Sequence, residues 1–490
     1  MQAKTPDSRL LNRLKSIVGS KGWCASDSAG KYFADPRGHF RGNASIVLLP
    51  SSTQQVSQVV AACNEAQVGI IPFGGGTGGV AGHMEISGSL PVVLSLERMN
   101  AIRSVSIDDE TVVAEAGCIL ASIQKIAEQH GRRFGLSLAS EGSCTIGGNL
   151  ASNAGGIQVL RYGNCRDLCL GIEAVMPDGS VLNDLKPLRK NNTGFDLRHL
   201  LIGSEGTLGI ITASALKLSP LPEDSVTVMC VVPAPGSALK LLHKIRNKLG
   251  ETVTAFELMS GLGVTLATKY FEALRNPFDG PFEWCVVAEI EGHKGIQWSL
   301  EEVLEQELEQ GNIVDAVFAE SRSQSEALWN LRELAYEYNQ KEGAICSSDT
   351  SVPVSQIEKF IELTITAIRY LDDGLRANCY GHIGDGNIHV NIFPPQDVSK
   401  QAYIQMHPGI QETTRMIINE TTHQCGGSIS AEHGIGRLRI SELQRYADKT
   451  KLAVMQTIKT AIDPNGIMNP GAVFEAHGQP TQILSASSEG

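Results

Sequence analysis

The sequence has no pair of cysteines two residues apart, no apolar run of the roughly 18 residues that a membrane helix needs, and no excess of positive charge. Each absence removes a class. Eleven cysteines scattered along 490 residues, an odd number, do not make the framework of a small secreted domain, so reduced thiols and a cytoplasmic location are expected. With 53 acidic and 41 basic residues the formal charge is −12, which argues against a general grip on nucleic acid or on an anionic membrane surface. A local basic pocket stays open. The opening MQAKTPDSRLLNRLKSIVG lacks the apolar core of a secretion signal. Leu10, Leu11, Leu14, Ile17 and Val18 instead predict one face of a short helix docked on the body.

What is abundant is glycine. Fifty of 490 residues is well above the usual share of about 7%, with no collagen period. A short strand over Val68 to Ile71 runs into PFGGGTGG, where Gly74, Gly76 and Gly79 satisfy GxGxxG. The following VAGHMEISGSLP cannot continue as the helix of a Rossmann unit, because Gly82, Gly88 and Pro91 interrupt it. No Gly-Lys-Ser/Thr follows either, which excludes a nucleotide-triphosphate P-loop. Successive backbone N–H groups can still cradle a diphosphate, although a plain tight turn would account for this loop alone.

A second cluster, Glu141-Gly142-Ser143-Cys144-Thr145-Ile146-Gly147-Gly148-Asn149 with Asn153, Gly155 and Gly156 beyond, reads as another donor-rich glycine loop. Two such loops suit a long ligand with a diphosphate in its middle. A third element, Ile202-Gly203-Ser204-Glu205-Gly206-Thr207-Leu208-Gly209-Ile210-Ile211, reads as a buried strand bent by glycine.

Around these lie ordinary signals. A helix is predicted from Ser52-Thr53 with Val56, Val59, Val60 and Cys63 on one face, and a hairpin with Asp178-Gly179 as its turn. LSPLPEDS near residue 220 marks a boundary. Strands over Val226 to Val232 and Trp284 to Ile290 alternate with polar helices such as Ser299 to Gln310, and a helix over Lys451 to Ile462 ends at DPNGIMNPG.

The sharpest local signal is His382-Ile383-Gly384-Asp385-Gly386-Asn387-Ile388-His389. A two-residue turn at Asp385-Gly386 would set His382 directly across from His389, on one face and within reach of one ion. A longer loop would change the pairing without parting the rings. Ser430-Ala431-Glu432-His433-Gly434 offers a carboxylate as third ligand. Two histidines and a carboxylate make an open divalent site suited to zinc or another first-row ion. A solvated His pair with an unrelated acid is the plainer alternative.

PFGGGTGG, CTIGGNLASNAGG, RYGNCRDL, NNTGFDLRHLLIGSEGTLGIIT and DPNGIMNPG together resemble the vanillyl-alcohol-oxidase-type (PCMH-type) flavoproteins, and within them the FAD-dependent D-2-hydroxyglutarate and D-lactate dehydrogenase branch. The similarity spans about residues 43 to 474. It implies an α+β chain with a two-part FAD-binding domain (43–221), an α+β substrate and metal domain with a large antiparallel sheet (222–445) and a C-terminal helical segment returning to the flavin (446–474); the residues outside it read as an N-terminal helical segment (1–42) and a small, polar, flexible tail (475–490).

By the same resemblance Pro72, Gly74, Gly75, Gly76, Thr77, Gly78 and Gly79 would hold the FAD diphosphate. Glu141, Gly142, Ser143, Gly147, Gly148, Asn149, Asn153, Gly155, Gly163, Glu205 and Gly206 would line the cofactor, with Ile210 on the adenine side and Asn469 returning to the flavin. His382, His389 and Glu432 match the family's metal ligands, and His433 its proposed general base. Phe73 precedes the glycines where histidyl-linked members carry a histidine in or near the loop, so FAD is expected without a covalent bond. Arg332 matches a substrate-carboxylate binder, and Asn391, two past His389, a further donor. Tyr336 and Ser347 depart from the hydroxyglutarate enzymes, which tend to have a small hydroxyl residue and a lysine there. The expected substrate therefore leans toward a 2-hydroxy monoacid of the D-lactate type.

The implied reaction is oxidation of a D-2-hydroxy acid to the 2-oxo acid. A sugar or alcohol oxidase on the same fold, and a flavin subunit of a glycolate-oxidase-like complex, are the competing readings. The acceptor (quinone, electron-transfer flavoprotein or cytochrome), the metal's identity and the oligomeric state, a homodimer among the options, stay open.

Overall fold

The protein is described here by a computed structural model covering residues 4–475 apart from 36 and 39. The tail expected from residue 475 therefore lies outside the described residues except for Glu475. The chain divides into two compact units. The first runs to Gly155, resumes over Gly163–Leu221 and returns from Glu432; the second consists of Gly156–Tyr162 and Pro222–Ala431.

Among the described residues the first unit contains two larger sheets and a two-stranded ladder pairing Arg132–Arg133 with Ser219–Pro220. Ile46–Leu48, Val92–Ser95 and Ile70–Phe73 are parallel neighbours, with Trp23–Ala25 antiparallel on the outer edge. Their apolar residues are buried on both sides, as a covered parallel sheet requires. Helix Thr53–Ala66 packs over them with Val56, Val59, Val60 and Cys63 inward, and its first turn is capped by the Ser52 hydroxyl. Helix Ser8–Val18 buries Leu10, Leu14 and Val18 against the same core, while Leu11 and Ile17 are partly buried at its rim. The second sheet is antiparallel, in the order Ile102–Ser106, Thr111–Glu115, Ile210–Lys217, Cys169–Val175, Val181–Asp184, and the predicted hairpin at Asp178-Gly179 joins its last two strands.

The far C-terminus closes the parallel sheet. Helix Lys449–Ile462 stops at Asp463, and Ile467 to Asn469 then run parallel to Ile70. The Ile70 amide donates to Ile467 at 2.7 Å and its carbonyl accepts from Asn469 at 2.8 Å. Buried Asp463 fixes this approach by accepting from the Ile467 and Met468 amides and from Lys459 Nζ.

The second unit is built on an eight-stranded antiparallel sheet. Its main path is Asp315–Phe318, Asp224–Val232, Trp284–Gly292, Val253–Ser260, Arg376–His382, Asn387–Phe393, Cys346–Ser347, and Thr350–Ser351 also pairs with Asn387–Phe393. Alternation along each strand feeds two cores. Val226, Val228, Cys230 and Val232 face helices Pro235–Leu249, Ile296–Glu309 and Ile357–Leu371. Met229 and Val231 face helices Gly261–Tyr270, Arg322–Glu333 and Ala335–Glu342.

The third glycine element differs from expectation. Gly203, Glu205 and Gly206 take φ of 81°, 52° and 70°, left-handed values that no strand can accommodate. The segment is a turn, and the strand begins only at Ile210. All eleven cysteines carry free thiols, and among the described residues no helix is long and apolar enough to cross a membrane.

Candidate functional site

In the first unit the glycine-rich segments come together. The loop after strand Ile70–Phe73 packs against Ser143–Gly148 so closely that a Cβ on Gly74 would lie 2.9 Å from Thr145 Oγ1, and one on Gly75 only 2.3 Å from the Ser143 carbonyl. Gly206 meets Pro72 in the same manner, a Cβ there falling 2.9 Å from the proline ring. Among the described residues the N–H groups of Gly74, Gly75, Gly76, Thr77, Gly78 and Gly79 meet no acceptor. A run of six consecutive amides without partners at the end of a strand has the chemistry of an anion cradle.

The second cluster behaves otherwise. It forms a short helix, Ile146–Ser152, capped by Thr145, in place of the expected loop. Its amides are spent inside the protein: Ser143 donates to Ser140, Gly147 to Ala116, Asn149 to Thr145, and Gly148 to the Thr145 hydroxyl. Gly142 adjoins this wall in the turn before Ser143. Glu141 accepts from Gln124, and Asn153 caps the helix while accepting from the Arg166 amide. Gly155 is buried, and Gly163 takes φ 80° beside Asp167. The cluster is thus a wall beside the cradle rather than a second set of donors. Ile210, expected on the adenine side, has its side chain in the core with Val175 and is 2% exposed.

The segment carrying His433 is bolted to this wall. Both oxygens of the Glu205 carboxylate accept backbone amides, Ile435 at 2.8 Å and Gly436 at 2.8 Å. Burial pushes the Glu205 carboxyl above its ordinary range, while those two amides and Arg437 pull the other way. Arg437 donates to the carbonyls of Ala81 and Gly82, just past the cradle, and to Asn469 and Pro470. Burial lowers its guanidinium to about 10. Asn469 was expected to touch the flavin. Its amide nitrogen instead donates to the carbonyls of Gly82 and Glu205, and its amide oxygen accepts from Arg437. Its side chain acts as a strut between these segments.

In the second unit the two histidines share one sheet face, though not by direct pairing. The loop has four residues, Ile383 to Gly386, and His389 stands opposite Tyr380. A two-residue Asp385-Gly386 turn is therefore corrected; the Gly386 carbonyl accepts from Val352 and ties the loop down. Because the slip is two residues, facing is preserved. The imidazole centroids lie 5.9 Å apart at 76°.

Behind each ring stands a buried carboxylate. Glu257, in the middle of strand Val253–Ser260 and 0% exposed, is the cross-strand partner of His382 and hydrogen-bonds its Nδ1. Asp349, 1% exposed, lies 3.8 Å from His389 Nδ1 and also accepts from Asn387. The other Glu257 oxygen accepts from Arg332 Nε at 2.8 Å. Although burial works against its charge, the neighbouring His382 and Arg332 hold the Glu257 carboxyl below its usual range.

Arg332 projects from helix Arg322–Glu333 and lies over the Tyr380 ring at 4.7 Å. Its two terminal nitrogens donate to no acceptor among the described residues. Asn391 lies two along from His389 as expected, paired with Asn378 and Ser347, and its amide oxygen accepts from the Ser347 hydroxyl at 2.7 Å. Tyr336 lies on the exposed side of its helix, its hydroxyl accepting from Gln340.

Glu257, Asp349, Tyr380 and Arg437 were not among the sequence candidates. Glu257 carried a usable signal, as the one charge inside the otherwise apolar or neutral run VTAFELMS. The others depend on pairings distant in sequence.

Family comparison gives two matches, an FAD binding domain over residues 44–184 and the C-terminal domain of FAD linked oxidases over residues 221–473. The chain is 36% identical over 470 residues to a probable mitochondrial D-2-hydroxyglutarate dehydrogenase of Oryza sativa subsp. japonica, covering 95% of this chain and 81% of the relative. It is 34% identical to a D-2-hydroxyglutarate dehydrogenase of Stutzerimonas stutzeri, covering 96% and 100%. It is 33% identical to a putative mitochondrial D-lactate dehydrogenase of Schizosaccharomyces pombe, covering 93% and 88%. Among solved structures, p-cresol methylhydroxylase superposes with a TM-score of 0.73 at 14% identity, covering 96% of this chain and 98% of that one. Alkyldihydroxyacetonephosphate synthase gives 0.70 at 20% identity, covering 96% and 86%; both speak to fold alone. The two matches together span most of the described chain, and it belongs to the FAD-linked oxidase family.

Proposed function

We propose that the protein is an FAD-dependent dehydrogenase that oxidises a D-2-hydroxy acid to the 2-oxo acid with the help of a divalent metal ion. The observation that carries this reading is the convergence, on one face of the second unit's sheet, of two imidazoles 5.9 Å apart and a buried arginine whose terminal nitrogens have no acceptor among the described residues. A 2-hydroxy acid needs both features, a cation for its carboxylate and ligands for an ion that its hydroxyl can meet. The names of the full-length relatives, D-2-hydroxyglutarate and D-lactate dehydrogenases, favour the same class.

His382, His389 and Glu432, a group of donors able to hold a metal ion, are the proposed ligands, and zinc suits the set. Within the second unit Ser428 pairs with Ser351 and the Ala431 amide donates to Asp349, the acid behind His389. A bound ion would supply Lewis-acid stabilisation of the substrate oxygens. FAD, held without a covalent link by the amides of residues 74 to 79, would supply the two-electron acceptor.

The protein's own tasks are then clear. Arg332 orients the substrate carboxylate with its planar fork. A ring nitrogen of His433 accepts the hydroxyl proton, with the imidazole held in place by the backbone bonds of Ile435 and Gly436 to Glu205. Asn391 donates a further hydrogen bond to the substrate. The substrate favoured is a 2-hydroxy monoacid of the D-lactate type, because Ser347 brings no second cation.

Anaerobic mixing with a panel of D-2-hydroxy acids tests the proposal. Bleaching of the flavin that is lost after chelation and restored by zinc or manganese is the expected result. Bleaching by polyols with peroxide formation would point to an alcohol oxidase instead.

A further inference from the structure

Glu257 is a full carboxylate, 0% exposed, in a strand whose eight residues are all buried. Such a charge is tolerated only where it is paired and hydrogen-bonded. Its two oxygens serve two different groups. One takes His382 Nδ1, its direct cross-strand neighbour; the other takes Arg332 Nε from the helix above. Each bond decides what its partner can do. With Nδ1 hydrogen-bonded to a carboxylate, the His382 proton sits there and Nε2 carries the lone pair that a ligand needs. With Nε committed and the guanidinium plane laid on Tyr380, Arg332 keeps both terminal nitrogens for a planar anion.

From this geometry we infer that Glu257 is a positioning residue that sets the tautomer of His382 for the metal and the orientation of Arg332 for the substrate carboxylate. It thereby ties ion affinity and substrate affinity to one side chain. The inference rests on the proposed dehydrogenase reading and adds a residue to it. Asp349 behind His389 supports the same logic, since each imidazole is backed on its Nδ1 side by a buried acid.

The test is Glu257→Gln in the full-length flavoprotein. An amide can accept with only one end, and its NH2 must face either His382 Nδ1 or Arg332 Nε, both of which need an acceptor. Zinc affinity, measured by competition with a chromophoric chelator, is expected to fall roughly 10- to 100-fold, and KM for D-lactate to rise with it, while FAD content stays at the wild-type ratio. Wild-type zinc affinity together with wild-type KM would overturn the inference. His382→Ala separates the two levels: if that variant keeps its zinc, the metal reading itself falls, whatever Glu257→Gln does.

Where Glu257→Gln fails to fold, the wild-type protein still decides. Nitrogen NMR of metal-free protein with labelled histidine, the His382 signal identified by its absence in His382→Gln, should report the Nδ1-protonated tautomer. An Nε2-protonated ring would refute the assignment.

Discussion

Tyr380, not His382, stands directly across from His389, and its ring lies 5.2 Å from that imidazole on one side while the Arg332 guanidinium covers it at 4.7 Å. The tyrosine thus links the proposed carboxylate binder to a proposed metal ligand through packing alone. Its hydroxyl accepts from buried Asn339, which in turn accepts from Asn378, so the strand face beneath the site is hydrogen-bonded as well as packed. A site supported in this way loses little entropy when a ligand arrives.

Replacing the proposed base tests the chemistry without touching the cradle. His433→Ala should lower the rate of flavin reduction by D-lactate at least about 100-fold, with FAD still bound by its visible absorbance. A variant that reduces its flavin at the wild-type rate removes His433 from the role.

The proposed monoacid preference rests on Ser347, whose hydroxyl donates to Asn391. Ser347→Lys brings a cation to this edge, and a charge-assisted hydrogen bond to a second carboxylate is worth roughly 1.5 to 3 kcal/mol. The ratio of kcat/KM for D-2-hydroxyglutarate over D-lactate should rise about tenfold or more. An unchanged ratio would show that the second carboxylate does not approach this position.

Gly75→Ala drives a methyl group into the Ser143 carbonyl at 2.3 Å and the Cys144 Cα at 2.8 Å. Both are backbone atoms and cannot swing away, so a loss of about 1 to 3 kcal/mol is expected from overpacking. The cradle would move with it. Thermal unfolding and FAD content per chain measure both effects, and a variant with normal FAD occupancy and normal stability would show the loop to be free to shift.

His83 supplies a pH dependence. Burial lowers its imidazole to about 4 from an ordinary 6.5, against the pull of Asp35, and its Nε2 has no hydrogen-bond partner among the described residues. The unfolded chain therefore takes up a proton near pH 6.5 that the folded chain refuses until about pH 4. Stability is unaffected above the first value, falls between the two and levels off below the second, a loss on the order of 3 kcal/mol. His83→Phe preserves the edge contact with Phe73 and should flatten denaturation midpoints across that window. An identical pH profile in the variant would exclude His83 as the source.

Much of this was legible in the sequence where the determinants are local. The cradle follows from glycines at fixed offsets after a short apolar strand, and the hairpin from Asp178-Gly179. Helix Thr53–Ala66 follows from a serine cap before apolar residues at helical spacing. The same logic failed at Ile202 to Gly209, because apolar flanks do not reveal left-handed backbone at Glu205. It failed for the turn between the histidines, because the bond from Val352 to Gly386 that holds the longer loop comes from a different strand. The internal bonds of Asn469 were not legible either, because its partners Gly82, Glu205 and Arg437 are brought to it only by tertiary geometry.

The bonds between Ile70 and the Ile467 to Asn469 segment have a consequence for biosynthesis. A ribosome delivers the parallel sheet's first strands several hundred residues before the piece that borders them, with the whole of Pro222–Ala431 emerging in between. The later unit can therefore mature first, while the nucleotide-binding half waits with an open edge until translation is nearly over. Premature termination anywhere ahead of Ile467 would leave that edge bare, a template for misassociation, and would strip the amide cradle of the backing strand on which its position depends.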